Sequence, residues 1–389
     1  MGRNILLVDD QKAILMTLQR LFIRSGLNIF LAESGQMALD ILAQQDIDII
    51  ISDMQMPGMN GHQLLRKVKE MYPSTTRLIL SGYVDEKEIT RAMLDGSSKM
   101  YILKPWDSQM LGKTIRQLLD VRELLQNRNL LEIINKMGGL RALPRIYNKL
   151  MDMINQDADI QQIAALIEED PAITAQILHM ANSAFYGIRT GSIKQAIIYL
   201  GLAAVKSIVL STSLCGATEE RNMGTFTREV LWRHASMTNR LVGQLYSKLI
   251  GKPIPTTAST VGLLHDIGRM ALIVQFPNKY MQIDAALNEQ PELPFDELER
   301  LFIGVSHQDV GGYLLDWWGL PHQIVESAMF HHDPFNDNVC DRELVSIVHI
   351  ASHYALRAVC PSIKGTLDER TFSLLQTTKE ECERLIKEE

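Results

Sequence analysis

Residues 51–61 read ISDMQMPGMNG, and the apolar run Asp48–Ser52 that leads into them stops at Asp53. Working outward, four more short β-branched or apolar runs recur between amphipathic segments: Asn4–Val8, Asn28–Ala32, Arg77–Ser81 and Met100–Leu103. Between them lie helical patterns such as Ala13–Ser25 and Gly35–Gln44. Strand and helix that alternate in this way predict a doubly wound α/β domain, a five-stranded parallel sheet covered on both faces.

In an open parallel sheet, ligands sit beyond the carboxyl ends of the strands. Those ends here carry Asp9 and Asp10 (NILLVDDQKA), Asp53, Ser81 (LILSG) and Lys104 (YILKP). Three carboxylates at one edge repel one another, and a hard cation such as magnesium relieves that repulsion through oxygen ligands. A carboxylate also serves as a nucleophile toward phosphorus, with metal and lysine neutralising the transferred group. Any single acid after a strand is more often a turn former or helix cap. The combination, in order at successive strand ends, points to phosphoryl chemistry.

Residues 1–122 closely resemble the receiver domain of two-component signalling, a flavodoxin-like fold. The resemblance implies that Asp53 accepts the phosphoryl group, Asp10 ligates magnesium directly, Asp9 helps through water, and the Gln55 carbonyl completes the protein ligands. Lys104 would contact the phosphoryl oxygens, with a cis peptide to Pro105 aiming it into the pocket. Ser81 stands at the hydroxyl switch position and Tyr101 at the aromatic one, so phosphorylation would pull one hydroxyl inward and rebury one ring. A sensor histidine kinase is the implied phosphodonor.

The whole chain, 389 residues, exceeds one typical domain. Hydrophobic residues at 46% and charged residues at 22% suit a globular protein, and no run of about 18 uninterrupted apolar residues is present for a bilayer. No membrane insertion is expected. One basic residue and two acids interrupt the N-terminus where a secretory signal needs an apolar core, so a cytoplasmic location is expected. Cys215, Cys340, Cys360 and Cys382 are far apart and form no CxxC pair, which predicts reduced thiols rather than disulfides or a thiolate zinc site. A net charge of −7 without a Lys/Arg-rich run, and no recognition helix with basic residues at its start, argue against DNA binding.

From Asp107 onward the pattern turns helical. Leu111, Ile115, Leu118, Leu125, Leu131 and Ile134 recur three, four or seven apart over much of the stretch. That spacing suits either one long connecting helix or a last receiver helix followed by a short separate one, with 123–139 as the connection. It also motivates a homodimer through this region. Beyond Gly138-Gly139, Asp170-Pro171 reads as an N-cap with proline at the first helical position, ahead of Ile173, Ile177, Leu178 and Ala181. Ser192 with Gln195 reads as a capping box, and Gly201 as the end of that turn of helix. An all-α domain over 140–355 is predicted, with a tail over 356–389 that is a charged surface helix or a frayed end. Trp317-Trp318 is either an exposed partner contact or a buried pair at a helix end.

Nine of the ten histidines lie after residue 178. His234, His265 beside Asp266, His307, and the pair His331-His332 stand in contexts that suit metal ligands, since neutral imidazoles and a carboxylate bind iron, manganese, zinc or nickel. His179, His322, His349 and His353 read as structural. The segments LPRIYNKL, LIEEDPAITAQILHMANSAFYG, SIKQAIIYLGLAAVKSIVL, LWRHAS, GLLHDIGRM, SHQDVGGYLLDWWGLP and AMFHHDP resemble, in that order, the HD-related output domain (HDOD) family, a divergent relative of HD metal-dependent phosphohydrolases.

Active HD enzymes close their metal site with an aspartate in a late helix, where IVHIASHYA places Ser352. The cyclic-dinucleotide phosphodiesterases of the superfamily carry Gly-Tyr-Pro after their paired histidines, where this chain reads HHDPFNDN. The resemblance therefore implies a non-catalytic HDOD output module that acts through a downstream protein partner, with or without a transition metal. The alternative is a phosphorylation-regulated metallohydrolase acting on a nucleotide or cyclic dinucleotide.

Overall fold

The computed structural model describes residues 3–23, 25–82, 92, 96–137, 144–181, 190–215, 225–290, 293–361, 363 and 365–387. Gly138-Gly139, residues 182–187 of the HDOD-like segments, and the side chains of His179 and Cys215 lie outside what is described. The chain divides into two compact units, the first running through Leu124 and the second starting at Leu125.

In the first unit, strands β1 (Arg3–Val8), β2 (Leu27–Ala32), β3 (Ile49–Asp53), β4 (Thr76–Ser81) and β5 (Met100–Leu103) form one parallel sheet in the order β2-β1-β3-β4-β5. The predicted strands differ by at most a residue at an end. Alternation along each strand feeds two cores. Leu6, Val8 and Ile50 meet Leu64, Leu65 and Val68 of α3 (Gly61–Met71), while Ile5, Leu7, Ile49 and Ile51 meet Leu15 and Leu18 of α1 (Lys12–Phe22) on the other face. The helix α2 (Gly35–Leu42) is capped by Ser34, whose side chain accepts from Met37 N.

Register aligns the site. Val8 pairs with Ser52, Asp53 with Leu80, and Ser81 with Leu103, so Asp9, Asp53, Ser81 and Lys104 emerge at one edge of the sheet. The order reverses between β1 and β3, which opens the crevice where ligands enter such sheets.

The helical stretch after Asp107 is not continuous. Helix α4 (Ser108–Leu125) ends before Asn127, whose side chain accepts from Asn129 N at 2.9 Å and starts α5 (Arg128–Lys136). An asparagine cap competes with leucine periodicity here and ends the helix. Leu111, Ile115 and Leu118 are spent on the receiver core, and Leu125 and Ile134 are buried too. Of the six residues that motivated a homodimer, these five are buried and Leu131 is half-buried.

The second unit is helical among the described residues: α6 (Arg145–Asn155), α7 (Ile160–Glu168), α8 (Pro171–Ala181), α9 (Ile193–Cys215), α10 (Arg228–Ile250), α11 (Val261–Leu264), α12 (Ile267–Gln275), α13 (Pro277–Glu289), α14 (Phe295–Phe302), α15 (His307–Trp317), α16 (His322–Phe330), α17 (Arg342–Val359), α18 (Arg370–Leu374) and α19 (Lys379–Lys387). Asp170 caps α8 by accepting from Ile173 N at 3.1 Å. The box before α9 is only half formed. Ser192 Oγ accepts from Gln195 N at 3.4 Å, but Gln195 Oε1 takes the hydroxyl of Thr190 instead of reaching back to the cap amide. Gly201, at φ 78°, breaks α9 as its sequence suggested.

The stretch Ile193–Ser213 is long and apolar enough by length and hydropathy to cross a membrane, despite Lys194 and Lys206. Its most apolar window is 61% buried and it carries the Gly201 kink, which fits a core helix. The tail belongs to the same unit rather than fraying: Phe372, Cys382 and Leu385 are buried, and Gln244 Nε2 donates to Leu385 O at 2.6 Å. Trp317 is half exposed and stacks on Tyr313.

Candidate phosphoacceptor pocket and histidine cluster

At the sheet edge, Lys104 joins two buried carboxylates. Its Nζ lies 3.0 Å from Asp9 Oδ2 and closer still to Asp53 Oδ1. The remaining oxygens are held by backbone amides: Gln11 N donates to Asp9 Oδ1 and Gln55 N to Asp53 Oδ2, both at 2.9 Å. Burial pushes the Asp53 carboxyl above its ordinary value, outweighing Lys104. Burial also works against the Lys104 ammonium, but its bonds and charge contacts with Asp53 and Asp9 outweigh that and raise it, so the lysine stays charged. The cis peptide at Lys104-Pro105 is present, and Lys104 N donates to Ser81 O at 2.8 Å.

Asp10 is exposed beside this pair. The oxygen-only donor set of Asp9, Asp10, Asp53 and the Gln55 carbonyl suits a hard dication such as magnesium. Ser81 is buried and donates to Gly82 O, while Tyr101 stands 36% exposed on β5. Gly61 is required by packing, because a Cβ there would fall 2.1 Å from Asp53 O. Asn60 starts α3 at that point with a reciprocal capping box.

In the second unit, all six predicted ligands meet. His234 comes from α10, His265 and Asp266 from the break between α11 and α12, His307 from the start of α15, and His331 and His332 from the turn that follows α16. Two groups form, His234–His265–Asp266 and His307–His331–His332, each with ligand atoms within 4.8 Å of one another. Asp266 serves both. Its Oδ2 lies 3.3 Å from His234 Nε2 and 3.8 Å from His265 Nε2, and its Oδ1 lies 3.4 and 3.5 Å from His307 and His331 Nε2.

The imidazoles are oriented from behind. His265 Nδ1 faces Gly262 O at 2.8 Å, His331 Nδ1 faces Ala328 O at 3.0 Å, and His307 Nδ1 faces Glu299 Oε2 at 2.5 Å. Each partner is an acceptor, so Nδ1 carries the proton and the Nε2 lone pair points inward. Burial first, and neighbouring histidines after it, push His265 and His332 well below the ordinary imidazole value. Burial alone would raise Asp266, but Arg269 foremost, with His265, holds it well below the carboxylate range.

Ring nitrogens face ring nitrogens, His234 Nε2 to His265 Nε2 and His332 Nε2 to His307 Nε2, both at 3.2 Å. Buried Asp266 has one charged partner, Arg269 Nη1 at 2.9 Å from Oδ2, and its other close neighbours are imidazole nitrogens. An ionised carboxylate so buried costs several kcal/mol unless cations compensate it, and Arg269 supplies one such charge. The donor set fits a divalent transition metal.

Ser352 occupies the expected place, its Oγ 3.2 Å from His265 Nε2 and 3.4 Å from His234 Nε2. Sequence reasoning passed over Glu299, which also receives His307 N at 2.7 Å and the Tyr280 hydroxyl, and Arg269, whose Nη1 lies 2.9 Å from Asp266 Oδ2. Arg269 was legible in one respect, three residues past Asp266 on a helix. Glu299 has no local signal.

A family model for the response regulator receiver domain matches residues 5–116, and one for the HDOD domain matches residues 140–334. The hydrogenase transcriptional regulatory protein HoxA of Cupriavidus necator is 31% identical over 134 residues, 33% of this chain and 27% of that protein. An uncharacterized protein of Treponema pallidum is 24% identical over 197 residues, 49% of this chain and 38% of its own. The chain thus spans well under half the length of these curated relatives. Sporulation initiation phosphotransferase F of Bacillus subtilis is 28% identical over 122 residues, covering 31% of this chain and 98% of that one.

Among solved structures, the receiver domain of an HD domain-containing protein from Pseudomonas fluorescens Pf-5 is 38% identical, with a TM-score of 0.31 over 32% of this chain and 98% of that one. An HDOD domain protein with unknown function from Geobacter sulfurreducens is 24% identical, with a TM-score of 0.49 over 66% of this chain and 86% of that one. The chain belongs to the HDOD domain family and joins that domain to an N-terminal response regulator receiver domain, the architecture of a two-component response regulator.

Proposed function

We propose that Asp53 accepts a phosphoryl group from a sensor histidine kinase, with magnesium held by Asp9, Asp10, Asp53 and the Gln55 carbonyl, and that this switches the HDOD domain toward a protein partner. The observation that carries this reading is Lys104 bridging buried Asp9 and Asp53 at the carboxyl edge of the sheet. In phosphoryl transfer the protein chiefly positions and neutralises. The Gln55 amide holds Asp53 Oδ2 and Lys104 holds Oδ1, which fixes the carboxylate for attack, and Lys104 would meet the charge that arrives on the phosphoryl oxygens. Magnesium, when bound, offsets the remaining carboxylate repulsion. Ser81 and Tyr101 are the switch pair.

Hydrogen exchange over residues 225–361, with and without a small phosphodonor and magnesium, tests the coupling. Changed protection in the wild type and none in Asp53→Ala is expected. Identical protection in treated and untreated wild type overturns it.

A second reading is supported by one observation, the buried Asp266 carboxylate ringed by four Nε2 atoms. In it the HDOD domain holds a divalent transition metal through His234, His265, Asp266, His307, His331 and His332. Such an ion would polarise a phosphate ester or activate water. Turnover of cyclic dinucleotides or phosphate esters that is lost in His265→Ala would make the chain a regulated hydrolase. A metal-loaded protein without turnover leaves the cluster a structural or sensory centre.

A further inference from the structure

The two ligand groups around Asp266 are alike in spacing. A tetrahedral ion with bonds of about 2.0–2.1 Å needs ligand atoms roughly 3.3–3.4 Å apart. In the second group, His307 Nε2 is 3.2 Å from His332 Nε2, 3.4 Å from His331 Nε2 and 3.4 Å from Asp266 Oδ1, and His331 Nε2 is 3.5 Å from the same oxygen. In the first group, His234, His265 and Asp266 Oδ2 lie 3.2 to 3.8 Å apart, and Ser352 Oγ lies 3.2 Å from His265 and 3.4 Å from His234. Chemistry, rather than distance, separates them.

Arg269 is the difference. Its guanidinium is buried, lies 4.5 Å from the centre of the Phe295 ring and 5.3 Å from that of Phe226, and reaches Asp266 Oδ2 at 2.9 Å. A cation already stands at the oxygen that the first group needs. The fourth ligand there is the neutral Ser352 hydroxyl, a weak donor. The second group has three imidazoles and the other oxygen, Oδ1, whereas Arg269 Nη1 pairs with Oδ2. The guanidinium also meets this group, its Nη2 3.4 Å from His307 Nε2, but there it faces a ring backed by Glu299 rather than the ligand carboxylate oxygen. Access points the same way, since the first group is wholly buried whereas His332 is partly open.

Charge limits the total. Asp266 is the single carboxylate common to both groups, and two dications beside a buried guanidinium would leave a large uncompensated positive charge. Resting on the metal-binding reading above, we infer that the cluster takes one divalent transition-metal ion, at His307, His331, His332 and Asp266 Oδ1, and that Arg269 stands in for a second ion.

The test loads the full chain with Zn2+, removes the excess, and measures zinc per chain together with X-ray absorption at the zinc edge. One zinc per chain with three imidazoles in its shell is expected, weakened about tenfold or more in His332→Ala. The double variant Arg269→Gln/Ser352→Asp is expected to take two. Two zincs in the wild type, or one with only two imidazoles that survives His332→Ala, overturns the inference while leaving the metal-binding reading intact. No zinc at saturating concentration overturns both. The absorption shell is read on the unaltered protein, so a variant that fails to fold does not remove the test.

Discussion

A Cβ on Gly268 would fall 2.0 Å from the backbone oxygen of His307 and 2.4 Å from Gly311 N. Backbone therefore meets backbone where α12 crosses α15, and that contact sets Asp266 and Arg269 against His307. Gly268→Ala forces the helices apart, and overpacking of this kind costs about 1–3 kcal/mol. A loss in that range by urea denaturation is expected. The control is Gly191→Ala, where a Cβ meets nothing within 4 Å and about 0.5 kcal/mol or less is expected. Equal effects at the two sites would contradict this packing.

Lys104 is the counter-charge for two carboxylates, of which Asp9 is fully buried. Lys104→Met should lower stability by about 1–3 kcal/mol in chelator, because Asp9 and Asp53 then face each other unpaired. Added magnesium should restore most of the loss if the acids hold the ion. A loss indifferent to magnesium would count against the proposed ligand set.

The Glu326 carboxyl, wholly buried, is pushed up to about 8 by burial first and by the charge of Asp341 second. Its folded value thus exceeds the ordinary carboxylate value, so the unfolded chain releases this proton at lower pH than the native one does. Below pH 4 the group costs nothing. Between there and pH 8 it costs up to about 1.4 kcal/mol for each pH unit, and the penalty is full above pH 8. Glu326→Gln should accordingly gain stability over the wild type as pH rises from 5 to 8, and match it near pH 4. A difference independent of pH in urea titrations would show that the carboxyl ionises freely.

The C-terminal helices are part of the HDOD unit. Asp368 N donates to His349 Nε2 at 2.8 Å, and His349 Nδ1 in turn meets His331 O at 2.6 Å, which ties the tail to a candidate ligand. Phe372→Ala should cost about 3 kcal/mol, as for a buried aromatic. A frayed end would lose almost nothing.

The receiver fold was largely legible because buried parallel strands read as apolar runs, and Asp9, Asp53, Ser81 and Lys104 each follow such a run directly. The histidine set was also legible, since rare residue types in one helical region stand out. Arg269 and Glu299 were not, because an arginine and a glutamate are common on helix surfaces and only the fold buries them beside His307. Leucine spacing left one connecting helix or two equally open, and the hydrogen bonds of the Asn127 cap, which spacing does not register, decided for two. At Ser192 the correct residues were present, but Thr190 captured the Gln195 side chain.

Phosphoryl transfer to Asp53 is the centre of the proposed function, and mass spectrometry of the intact chain after treatment with a small acyl-phosphate donor and magnesium tests it most directly. One added phosphoryl group per chain, labile to hydroxylamine and absent in Asp53→Ala, is expected. The same modification in the wild type and Asp53→Ala, or none in either, would contradict the assignment.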